Sequence, residues 1–97
     1  MAAQPTLRVA ALQLNSATGD VAGNLARATR HVEAVAASGA RLVLLPELYS
    51  SGYVFSRALW QAAERLDDGP TVRWASELAL RLGVHICLTL LEARTAC

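Results

Sequence analysis

LVLLPELYSSGY, residues 42–53, holds the key to this chain's architecture. Leu42 to Leu45 is a run of branched apolar side chains and reads as a buried β-strand. Pro46 stops it, because proline has no N–H to donate to a sheet ladder. Glu47 follows at once, so a carboxylate stands at the tip of a strand that the same stretch buries. In open parallel sheets, ligands and catalytic groups collect outside the carboxyl ends of the strands. Glu47 is therefore the first candidate for chemistry. Burial there removes solvation, raises a carboxyl pKa and makes the group a better base near neutral pH. A purely structural carboxylate, accepting bonds from loop amides, stays open beside that reading.

The flanks of this stretch alternate strand and helix. Leu7–Leu14 (LRVAALQL) reads as a first strand, more buried than half-buried. Asn15–Asp20 is a turn, with Asp20 placed to cap a helix. In that helix Val21, Leu25, Ala28, Val32 and Val35 form one apolar stripe, opposite Arg27 and Arg30, before Ser38-Gly39 ends it. Beyond the Ser-Ser-Gly turn, Ser56 to Leu66 reads as a second helix with Leu59, Ala63 and Leu66 facing inward. Pro70 and Gly83 suit the two ends of a third, on which Arg73, Glu77 and Arg81 form a solvated ion-pair face. Val84–Leu91 is a third strand, closed by Glu92. The order β-α-β-α-α-β predicts an α/β fold with a mainly parallel sheet and right-handed crossovers. Three strands alone leave an apolar sheet edge open.

Composition narrows the function classes. The 97 residues are 54% hydrophobic and 18% charged, which suits one small folded unit, residues 1–97, rather than a disordered segment. A chain of this size buries roughly 60–65% of the surface its unfolded form exposes. The net charge is +1, and its nine arginines are scattered singly, so no basic stripe points to nucleic acid. No apolar run approaches a membrane span, and Met1–Thr6 lacks a signal-peptide layout, so a soluble, cytoplasmic chain without membrane partners is expected.

The remaining candidates carry bland readings. Glu92 also ends a strand, so a carboxylate pair at the sheet rim is conceivable, but rim solvation accounts for it as well. Cys87 reads as a small apolar core residue in mid-strand and Cys97 as a free terminal thiol. His31 and His85 have no third ligand nearby, so no metal site is expected. No GxGxxG or GxxxxGK[ST] follows a strand, and Ser50 and Ser51 lack the GxSxG elbow.

Taken in order, LRVAALQLN, Asp20 and Asn24, LVLLPELYSSGY, DDGPTV and VHICLTLLE resemble the N-terminal part of the nitrilase (carbon–nitrogen hydrolase) superfamily. The resemblance runs over nearly all of residues 7–92, and its specific element is PEL…SGY after an apolar strand. It implies a partial α-β-β-α sandwich of the nitrilase type. It also implies cofactor-free hydrolysis of small amides, nitriles or carbamoyl compounds by a Glu-Lys-Cys triad, in proteins that are usually homo-oligomeric. The triad Glu falls on Glu47, as general base toward the Cys nucleophile and then toward water. Tyr53 becomes a substrate-binding candidate, within the Leu48–Phe55 loop where Tyr49 and Phe55 also offer apolar surface.

The chain departs from the pattern where it matters most. It contains no lysine, and neither Cys87 nor Cys97 stands in the family's cysteine motif. Thr89 occupies a position where glycine is common, Glu92 matches a recurrent position outside the triad, and the tail Ala93–Cys97 diverges. The expectation is the leading part of a hydrolase, inactive by itself, interrupted by a frameshift, a premature stop or an incomplete coding sequence. The rival expectation is a non-catalytic half-domain that pairs its open sheet edge with a full-length relative or another partner. A third is an unrelated small α/β binding domain in which Glu47 is merely structural.

Overall fold

The structure, a computed structural model, describes residues 4–94. The terminal thiol Cys97 and the last residues of the divergent tail, 95–97, lie outside the described residues. Three short strands, β1 (Val9–Ala11), β2 (Leu42–Leu44) and β3 (His85–Cys87), form a parallel sheet in the order β1-β2-β3. Helix α1 (Val21–Ala37) joins the first two, and α2 (Arg57–Gln61) with α3 (Pro70–Leu82) joins the second and third. Each crossover steps to the next strand in the same direction, so right-handed connections place α1 and α3 side by side on one sheet face.

Register explains which side chains that face receives. Ala10, Val43 and Ile86 lie abreast, and with Leu12 and Leu45 they meet Val32, Ala40, Leu78, Val35, Trp74 and Leu82 in the core. Val43, in the middle strand, is fully buried. The alternate residues, Val9, Ala11, Leu42, Leu44, His85 and Cys87, point to the opposite face, which no described element covers. Strands that read as buried on both sides are therefore buried on one. Cys87, expected in the core, is exposed on that open face. The result is one helical layer on one sheet, an α/β fold compatible with part of a nitrilase-type sandwich.

The helices follow their local chemistry with one exception. Asp20 caps α1 by accepting a bond from the Gly23 N–H at 3.1 Å, and Leu25, Ala28 and Val32 form the buried stripe. Helix α3 has proline at its first position and ends on Gly83 at φ +66°, a left-handed cap that glycine adopts without Cβ strain. Its Arg81 pairs across to Glu33 of α1 at 2.9 Å, and Arg73 donates to the Asp68 carbonyl; neither engages Glu77. Helix α2 stops at Gln61, well short of Leu66, which is 52% exposed. The backbone of Glu64 is drawn into a parallel bridge instead, donating to Leu91 O at 2.8 Å and accepting from Ala93 N–H at 2.7 Å. Tertiary pairing thus overrides the helical pattern after Gln61. No helix among the described residues is long and apolar enough to cross a membrane.

Candidate active site

Glu47 emerges just past the carboxyl end of the central strand. The last ladder bond on that side runs from the Leu45 N–H to Cys87 O at 3.0 Å, and Pro46 then ends the pairing. The chain turns sharply, and Leu48 sits at φ +51°, the only non-glycine residue with positive φ among those described. Backbone strain of this kind tends to cluster at functional sites. The Leu48 N–H donates to Thr89 Oγ1 at 2.9 Å, and its carbonyl accepts from the Gly52 N–H at 2.8 Å.

The rest of the PELYSSGY stretch builds the platform around this turn. Tyr49 is buried and donates its hydroxyl to Asn15 O at 3.1 Å. Ser51 O accepts from Gly19 N–H at 2.8 Å, and buried Ser50 offers its carbonyl to Asn24 Nδ2 at 2.8 Å. Asn24, fully buried on α1, also exchanges two bonds with the Ala17 backbone, both 2.8 Å. Gly52 has φ +84°, and a Cβ there would stand 3.0 Å from Thr18 Cα, so any side chain would push the two loops apart. The loops after β1 and β2 are thereby stitched into one rim. Beside them lies an open groove of about 640 Å³, lined by residues 11–15 with Leu44, Leu45 and Pro46.

The structure treats the predicted site residues unequally. Glu47 is exposed, so the described residues do not supply the desolvation expected of a buried base. Its carboxylate makes no hydrogen bond or ion pair with any described side chain. Tyr53 is 52% exposed and packs edge-to-face on Phe55, ring centroids 5.8 Å apart. Of the three aromatic candidates in the loop, Tyr49 goes to the interior and the other two remain at the surface. Glu92 pairs with Arg94 at 2.7 Å and forms no bond to Glu47. His31 and His85 are both exposed, and no group of three metal-ligating side chains occurs among the described residues.

One buried carboxylate was missed in the sequence. Glu64 is only 5% exposed, and it accepts from the Thr71 N–H at 2.7 Å and from the Thr71 hydroxyl. It caps α3 from outside the helix. The available hint is Gly69, which precedes Pro70 and has no side chain to cap with, so the first turn needs an acceptor from elsewhere.

The carbon–nitrogen hydrolase family profile matches residues 8–97. A protein named nitrilase from Pyrococcus abyssi is 29% identical over 82 residues, covering 82% of this chain and 31% of that protein. The N-carbamoylputrescine amidase of Solanum lycopersicum is 38% identical over 88 residues, covering 87% of this chain and 29% of that one. The chloroplastic omega-amidase of Arabidopsis thaliana is 36% identical over 75 residues, covering 73% and 20% respectively. The chain spans between 20% and 31% of the length of these relatives. With the profile match extending over nearly all of its residues, the chain belongs to the carbon–nitrogen hydrolase family.

Proposed function

We propose that this chain is the N-terminal part of a small-molecule carbon–nitrogen hydrolase and contributes Glu47 as the general base. The observation that carries this reading is the position of Glu47 at the carboxyl end of the central parallel strand, beside a left-handed residue and an open groove. In the implied reaction, Glu47 takes the proton of a cysteine thiol as the sulfur attacks the substrate carbon. Glu47 returns that proton to the nitrogen, which leaves as ammonia or an amine, and then takes a proton from water as the water attacks the thioester, releasing the acid and the cysteine sulfur. Lysine, which steadies the oxyanion in such a triad, is absent from the sequence, and Cys87, the exposed last residue of β3, does not stand in the family's cysteine motif. The chain by itself is therefore inactive. General-base help is worth about 10²–10⁴ in rate, which cannot replace a missing nucleophile.

The substrate in this reading is a small amide, with nitriles and carbamoyl compounds as alternatives, and Tyr53 contributes to its pocket. The setting is cytoplasmic and reducing, the whole protein a homo-oligomer, with no cofactor required. The test is hydrolysis of small amides, nitriles and carbamoyl amides by the chain alone, and by the chain continued into a segment bearing the family's lysine and cysteine. The expected result is no turnover alone, turnover in the continued protein, and a loss of about 10²–10⁴ in kcat on Glu47→Gln there. Turnover retained within a few-fold by Glu47→Gln would end the base assignment. A second reading, an interaction half-domain, is favoured by the uncovered face bearing Val9, Leu42 and Leu44. Stable co-purification with a full-length hydrolase, without any gain in turnover, would select it.

A further inference from the structure

The Glu47 carboxylate has no side-chain partner among the described residues, so the point from which it projects is held only by the backbone on either side of it. On the N-terminal side the chain is tied to β3 by the Leu45 N–H to Cys87 O bond at 3.0 Å. On the C-terminal side the tie passes to a side chain: the Leu48 N–H donates to Thr89 Oγ1 at 2.9 Å, across a sequence separation of 41 residues. Pro46 and Glu47 are thus bracketed by two links to residues 87 and 89, at and just past the end of β3. Leu48 also holds a φ of +51°, a conformation that leucine adopts only when its surroundings over-determine it. Rotation about the Glu47–Leu48 peptide would relieve that strain and swing the glutamate; the Thr89 bond opposes it.

We propose that Thr89 is a positioning residue for the general base. Its hydroxyl pins the Glu47–Leu48 peptide and so fixes the backbone that carries Glu47 past the end of β2. This rests on the base role given to Glu47 above. Threonine stands where the resemblance places glycine, and glycine has no side-chain acceptor to offer. Thr89 itself is exposed, so changing it leaves the core untouched.

The test uses the isotope-labelled chain and its Thr89→Val, Thr89→Ser and Thr89→Gly variants. Two signals are read by NMR: hydrogen exchange of the Leu48 amide, and the carboxyl carbon resonance of Glu47. Valine keeps the shape and loses the acceptor, so Leu48 exchange should rise about tenfold, as the loss of one ordinary hydrogen bond gives. The Glu47 resonance should move with it, while the amides of Val43 and Leu44 exchange as before. Serine should restore both signals, and glycine should behave as valine does. Leu48 exchange within twofold of the parent in Thr89→Val would overturn the proposal. So would an unmoved Glu47 resonance when Leu48 opens, since Thr89 would then tether the turn without positioning the base. Failure of the base role itself would be seen separately, as retained turnover in Glu47→Gln of the continued protein with these NMR signals intact.

Discussion

Glu47 shows what a strand-end carboxylate owes to its neighbours. Pro46 ends the ladder, Leu48 turns left-handed, Tyr49 and Ser50 go to the interior, and Gly52 lets the loop from β1 approach. Each of these residues has a local task, and Glu47 is left at the crest, exposed. The charged pair in the Asp67-Asp68 break obeys simpler rules. Arg65 donates to both Asp67 oxygens at 3.2 Å, and that hydrogen bonding, with the guanidinium's charge, holds the Asp67 carboxyl below its ordinary value. Asp67 also holds the Arg65 pKa above its ordinary value, through the same bonds and charge. A carboxyl whose pKa falls on folding binds fewer protons in the folded state than in the unfolded one. Its stabilisation is complete above the ordinary aspartate range near ~3.9 and is lost as pH falls through the lowered value. Because both side chains are largely exposed, the gain is small and fades with added salt. An NMR titration should place the Asp67 midpoint below that of a model aspartate, and Arg65→Ala should return it upward.

Among the elements, α1 arises from a local cap and an apolar stripe, and α3 from a proline at its start and a closing glycine. Helix α2 is different, because the residues after Gln61 retain a helical pattern yet pair with Leu91 and Ala93. That bridge delivers the Glu64 side chain to the start of α3, where Gly69 leaves the Thr71 N–H without a local cap. Removing the carboxylate strands a buried amide and a buried hydroxyl together. Glu64→Ala should therefore destabilise the chain by about 2–3 kcal/mol, read as a lower urea midpoint with an unchanged slope. Glu64→Gln should cost less, because one amide oxygen still accepts from Thr71. Loss of far less than 1 kcal/mol in the alanine variant would mean that water caps α3 equally well.

Across the whole molecule the decisive feature is asymmetry. Both long helices lie on one side of the sheet, so the strands alternate between a packed face and an open one. Val43 and Val9 make a matched test: the same side chain, fully buried in one case and 49% exposed in the other. Val43→Ala should cost about 2 kcal/mol, from lost transfer energy and a cavity beneath α1 and α3. Val9→Ala should fall within about 0.5 kcal/mol of the parent. Equal costs at the two sites, measured by chemical unfolding, would mean that the second face is covered in solution. A covered second face would favour the interaction reading over the isolated half-sandwich.

The sequence by itself determined the alternation of strand and helix, the parallel sheet, the Asp20 cap of α1, the Pro70 and Gly83 ends of α3, and the arrival of Glu47 at a strand tip. Those follow from periodicity, proline and glycine, which act over a few residues. It also carried the family resemblance, because PELYSSGY lies unbroken in the chain. Only the tertiary structure decided which sheet face is packed, since apolar strands look alike from both sides. That choice exposes Cys87 against expectation. Tertiary contact likewise shortened α2, buried Glu64, turned Tyr49 inward and joined Thr89 to Leu48. The physical reason is range. These contacts join residues from 7 to 41 positions apart, and their geometry exists only once the crossovers have brought the segments together.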